Sequence, residues 1–289
     1  MDALSAILVD GYGSKSPAGW TKEYTATNKA VFRMGGAGNR HYLRVDDTNA
    51  QMARIVAYTA MTDLDTGTNM WPSSGWISGG YYCRKSTSAT ATARGWICYA
   101  SATQFLLVVC GDNSSATAST GADAMLLFGA IESRVPGDEY NTLLCGATDS
   151  STSATAATAT RQPLPYFDST FSVNKLMAGD YGQTPAGGQA CLSCASSPWR
   201  MMSISGDVTY GSANPDPATL GLNFAPIGIL EGGYVLRGWL RGIYALLHSH
   251  ASVLNRATLE GRGALSDKTF QILRIGNNSA VVIETSGGW

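Results

Sequence analysis

The sequence predicts an all-β protein made of antiparallel β-sandwich or barrel-like domains with long loops. Three observations carry that reading. Apolar and polar residues alternate over short runs, as in Ala30–Arg33 and Tyr42–Asp46. Such runs recur at about a dozen residues through the first half, the spacing of a sandwich or barrel. Between them, 33 glycines and clusters of Ser, Thr, Asn and Pro punctuate the chain, and almost nothing shows a helical period.

Met1 to Asp10 has no basic leading region and no long apolar stretch, so no secretory signal is expected and a soluble chain made in a cytoplasm is. Residues 9–29 read as turns at Gly11, Gly13, Pro17 and Gly19, with Trp20 and Tyr24 as the large apolar anchors. Next comes an antiparallel hairpin. Val31, Met34, Tyr42, Leu43 and Val45 interleave with Arg33, Arg40, Arg44 and Asp46 across a turn at Gly35-Gly36-Ala37-Gly38-Asn39, too long for a two-residue type. Ala53–Thr59 is a further alternating strand, and Asp63 to Asn69 is expected to be a polar loop ahead of Trp71-Pro72.

Strands follow over Gly79–Lys85, Arg94–Tyr99, Phe105–Val109, Met125–Ile131 and Asn141–Cys145. Gln104 to Cys110 is the strongest apolar run and is far too short to span a bilayer. Ala147 to Thr160 contains only small residues and Asp, which cannot fill a core, so it marks the best domain boundary. The expected division is a β domain over 1–146, a Ser/Thr/Ala-rich linker or loop over 147–164, and a second β domain over 165–289. The opening of that second domain is broken by Gly187-Gly188, Pro198, Pro215 and Pro217, which leaves short strands such as Arg200–Ile204 and Val208–Tyr210 between long loops. Val235–His248 could be written as a helix, but Gly238 and Gly242 each cost a helix about 1 kcal/mol, and a strand is favoured. A hairpin of Thr269–Ile275 and Ala280–Thr285 around Gly276-Asn277-Asn278-Ser279 closes the fold.

Charged residues are only 14% of the chain, against roughly 25% in ordinary soluble proteins. The surface is therefore neutral, and a net charge of −1 lacks the basic footprint that nucleic acid requires. Near-zero net charge also favours association with other protein surfaces. Six cysteines are read as ordinary thiols, with Cys83, Cys98, Cys110 and Cys145 in or beside strands, and disulfides are left open.

Each chemical constellation has a plainer reading. Cys191-Leu-Ser-Cys194 lacks a second ligand pair at zinc spacing, since His248 and His250 lie over fifty residues on. Asp46-Asp47 and Asp63-x-Asp65 suit turns better than a calcium loop. His41 is expected as a packed or surface imidazole, and no Gly-x-Ser-x-Gly elbow accompanies the histidines. No catalytic, metal or cofactor residue is assigned, and no cofactor is expected. Seven tryptophans and thirteen tyrosines could stack on sugar, with Trp71 and Trp76 flanking a turn, or bury at subunit contacts.

Asp10-Gly-Tyr-Gly, Ala18-Gly-Trp-Thr-Lys22, Asn28-Lys-Ala-Val-Phe-Arg33, Tyr42-Leu-Arg-Val-Asp-Asp47, Arg237-Gly-Trp-Leu-Arg-Gly-Ile-Tyr244, Lys268-Thr-Phe270 and Ile283-Glu-Thr-Ser286 with Trp289 together resemble virion structural proteins of tailed bacteriophages. The resemblance covers both ends and leaves Ala147 to Asn223 unassigned. It implies a neck, collar, tail or head-surface component of the virion, assembled in the host cytoplasm, and it carries no catalytic residues. The expected partners are copies of the chain and other virion proteins, with neither nucleic acid nor membrane, engaged through exposed strand edges and long loops. Trp20, Trp71, Trp76, Trp239 and Trp289 are the interface candidates. A carbohydrate-binding or host-adhesion module is the alternative.

Overall fold

Gln104 to Val108 is buried at every position, and the architecture follows from covering that run on both faces. The structure is a computed structural model that describes residues 1–71, 80–117, 123–145, 175–178, 191–193, 222, 224–231, 235–246, 254–275 and 279–287. Over those residues it is all-β, with antiparallel pairing in every sheet, apart from short helical turns. Three sheets stack as layers, the middle one buried between the other two.

The chain begins with a short helix, α1 (Asp2–Ser5), extended by a wider helical turn over Ala6–Asp10. Leu4 and Leu8, one helical turn apart, are its buried apolar side chains. The first sheet then forms from β1 (Thr21–Ala26), β2 (Lys29–Arg33), β3 (Tyr42–Asp46) and β4 (Met52–Tyr58), as consecutive neighbours. Asn28 makes the tight turn between β1 and β2 with φ of 59°, a left-handed conformation that asparagine tolerates well. A separate hairpin, β5 (Ala60–Asp63) with β6 (Thr66–Thr68), follows, and β7 (Tyr81–Arg84) returns beside β4. Met61 of that hairpin and Leu64 in its turn pack with Val31, Val56 and Tyr58 on the outer side of the first sheet.

The middle sheet has the order β12 (Thr142–Cys145), β10 (Ala124–Ala130), β9 (Gln104–Val109), β8 (Trp96–Ala100). Alternate side chains of each strand point to opposite faces. Phe105, Leu107, Leu126, Phe128 and Leu144 therefore join the core of the first sheet, while Leu106, Val108, Met125, Leu127 and Leu143 join that of the third. A strand covered on both sides reads as an unbroken apolar run, which is how this one stands in the sequence.

The third sheet runs β14 (Cys191–Ser193), β13 (Lys175–Ala178), β15 (Phe224–Glu231), β16 (Val235–Leu246), β19 (Ser279–Glu284), β18 (Thr269–Ile275), β17 (Thr258–Glu260). The two-residue strand β11 (Glu132–Ser133), from the first half of the chain, pairs with β16 at Gly238 and Trp239. That approach needs the glycine, because a Cβ at Gly238 would sit 2.3 Å from the Glu132 carbonyl oxygen. A second layer of aromatic packing, Phe224, Tyr244 and Phe270, covers the outer face of this sheet.

Val235–Leu246 is a strand, and both flanking hairpins form as the alternation requires. Three stretches differ from expectation. Residues 2–10 are helical, Thr21–Ala26 is an edge strand inside a segment read as turns, and the polar loop after Asp63 is half of a hairpin. Residues from both halves of the chain meet in one core cluster across the middle sheet, while a second cluster draws on the first half alone and a third on the second half alone. The 147–164 linker, and the short strands expected at Arg200–Ile204 and Val208–Tyr210, lie outside the described residues.

Candidate functional site

Three buried polar side chains, His41, Thr142 and Gln104, serve as ties between layers. His41, 5% exposed, places Nδ1 2.7 Å from the Thr142 hydroxyl, which joins the loop before β3 to β12 of the middle sheet. The Trp71 ring lies edge-on to the imidazole at 5.6 Å. Burial pushes the His41 pKa down to about 4, with the Glu139 backbone and the Asp138 carboxylate pulling part of the way back. The imidazole is neutral at pH 7 and sits against Trp71 and Thr142.

A second tie crosses all three layers at Asp138. Asn39 Nδ2 in the β2–β3 loop donates to the Asp138 carbonyl at 2.5 Å and to Asn141 Oδ1 at 3.0 Å. The Asp138 carboxylate, 3% exposed, accepts from Ser133 Oγ at 2.5 Å and the Tyr140 amide at 2.9 Å, and pairs with the Arg237 guanidinium of β16. Further links are Trp20 Nε1 to the Ser101 carbonyl at 2.7 Å, Gln104 Nε2 to the Arg241 carbonyl at 2.8 Å, and Tyr99 to Gln271.

Three of the four aspartates weighed as calcium ligands face cations, and the fourth, Asp63, accepts the Leu64 amide. Asp65 pairs with Arg44 and Lys29, Asp46 with the same two, and Asp47 with Lys85 at 2.5 Å. Among the described residues no group of three metal-ligating side chains forms. Cys83 and Cys98 are free thiols, and burial raises both to about 12, where they are unreactive at neutral pH. Cys194, His248 and His250 lie outside the described residues.

Of the five tryptophans proposed for contacts, Trp20 is 3% exposed and Trp71 is fully buried. Trp20 packs on Phe105 and Phe128 at 5.6 and 5.8 Å, and Trp71 on Phe128 at 6.3 Å, so both rings fill the chain's own core. Neither presents a face to a neighbour, and Trp71 offers none to a sugar. Flat, large rings are the efficient filler between two β-layers, a role that competes with surface display. Trp239 is half-buried in β16, opposite Glu132. Trp76 and Trp289 lie outside the described residues.

One concavity stands out. Between the first and middle sheets, against α1, lies a cavity of about 210 Å³ walled by Leu4, Val45, Ala53, Ile55, Leu107 and Leu126. Its solvent side carries the part-exposed Asp47, Lys85, Arg94 and Trp96, with the half-exposed Tyr12 ring edge-on to Trp96 at 5.1 Å. Sequence reading gives no hint of it, because a void is a property of packing and not of any residue pattern.

No known family model matches the chain, and no curated protein matches it.

Proposed function

We propose that this chain is a non-enzymatic structural subunit of a tailed-bacteriophage particle, in the neck or collar or at another head–tail surface position, that works by oligomeric assembly. The segments quoted above resemble such virion proteins at both ends of the chain. The structural observation that supports the reading is how the interior polar groups are used. His41, Asn39, Asp138, Arg237 and Gln104 each bind a partner in another layer. Side chains locked in this way stiffen a scaffold. A weakly charged exterior suits permanent burial against neighbours better than free diffusion.

The edge of β1 is poorly suited to strand addition. Its exposed edge carries Lys22 and Glu23, and its pairing with β2 is interrupted by a bulge between Lys22 and Tyr24, two features that blunt an edge. Loops and sheet faces are the contacts in this proposal. The test is to purify the chain, measure its oligomeric state by sedimentation, and locate it in intact particles with a bound antibody fragment. Self-association and particle labelling are expected; a chain that stays monomeric and never co-sediments with particles defeats the proposal.

A further inference from the structure

We infer that the cavity between the first and middle sheets is a binding site for a small monocarboxylate with an apolar body about the size of a phenyl ring. Its walls are hydrocarbon on both sides, from Val45, Ala53 and Ile55 of the first sheet and Leu107 and Leu126 of the middle one. An apolar cavity of ~150 Å³ accepts benzene. At about 210 Å³ this one holds a ring with a short appendage.

The rim selects the charge of that appendage. Asp47 is already neutralised, its carboxylate taking Lys85 Nζ at 2.5 Å and the Met1 amine at 2.6 Å. Among the described residues Arg94 pairs with no carboxylate. Its Nε donates to Ser86 Oγ and its terminal nitrogen to Ser88 Oγ, both at 3.0 Å, so its partners among the described residues are hydroxyls. A guanidinium held in place by neutral acceptors, on the lining of an apolar hollow, is arranged to receive a carboxylate in a charge-assisted hydrogen bond. The inference is independent of the proposed assembly role.

The test uses the full chain, with phenylacetate and its neutral counterpart phenethyl alcohol as probes, read by calorimetric titration and thermal unfolding. One phenylacetate per chain is expected to bind, to raise the unfolding temperature in a saturable way, and to bind at least about tenfold tighter than the alcohol. Arg94→Gln, at a part-exposed position, removes the preference for the acid and leaves the alcohol's affinity unchanged. Ala53→Leu fills the hollow and abolishes binding of both. Absence of saturable binding by either probe overturns the inference, as does full acid preference in Arg94→Gln or undiminished binding in a folded Ala53→Leu. Should Ala53→Leu not fold, the Arg94→Gln comparison decides alone.

Discussion

Acidification is expected to weaken this fold through His41 in particular. In the unfolded chain its imidazole titrates at the ordinary 6.5, whereas in the folded chain burial lowers that to about 4. Below 6.5 the unfolded state takes up a proton that the folded state refuses, so stability is full above 6.5 and falls as pH drops toward 4. The gap between 6.5 and about 4, at about 1.4 kcal/mol per pH unit, amounts to roughly 3 kcal/mol. That is a large share of the 5–15 kcal/mol typical of a whole domain. Carboxylates also titrate in acid, so the measurement is a difference. Urea midpoints of the natural chain and of His41→Gln are compared from neutral pH down to 4, converted to free energies with a shared slope. Glutamine keeps a polar atom near Thr142 but cannot take the proton. The stability advantage of the natural chain should shrink by about 3 kcal/mol across the interval. If it stays constant within about 0.5 kcal/mol, or if the imidazole resonance titrates near 6.5 in the folded protein, the account of a neutral, layer-bridging His41 is refuted.

Three further outcomes follow from the layered core. A fragment ending at residue 146 uncovers Leu106, Val108, Met125, Leu127 and Leu143 together. At about 2 kcal/mol each their exposure cancels a typical domain's stability, so the fragment should aggregate or bind a hydrophobic dye, and cooperative monomeric unfolding seen by sedimentation and circular dichroism counts against a shared core. Asp138→Ala leaves Arg237 of β16 without its carboxylate and should cost about 3–5 kcal/mol in chemical denaturation, with exchange protection lost first at Ser133 and Gly238. Trp71→Ala should cost about 3–5 kcal/mol. Trp71→Phe should cost much less, because it keeps the ring against Phe128 and removes an indole N–H that has no acceptor among the described residues.

The β-character was legible because alternation and turn chemistry act locally. Leu43 and Val45 declare their inward face without knowledge of what covers it. The number of layers was not legible. Phe105 and Leu106 are equally apolar, and nothing in their order says that one meets Trp20 while the other meets the sheet of β16. Thr21–Ala26 escaped because a blunted edge strand is polar by necessity. Residues 2–10 escaped because two leucines one turn apart are too few to define a period. Trp20 and Trp71 were misplaced for the converse reason, since a turn-flanking aromatic reads alike whether its ring faces outward or in. A packed or a surface imidazole is all the sequence offers for His41, because its partner Thr142 stands 101 residues away, beyond any local pattern.

The sandwiched sheet also governs how the polypeptide emerges from the ribosome. β12 ends at Cys145, while the strands that cover its far face finish at Glu284. At 5–20 residues per second, that interval lasts on the order of ten seconds. Throughout it a greasy surface stands open in a crowded cell, and a holdase or a sister nascent chain has time to reach it first. Yield during expression is therefore set by the rate of translation through the second half, and slower synthesis there should push the product toward inclusion bodies.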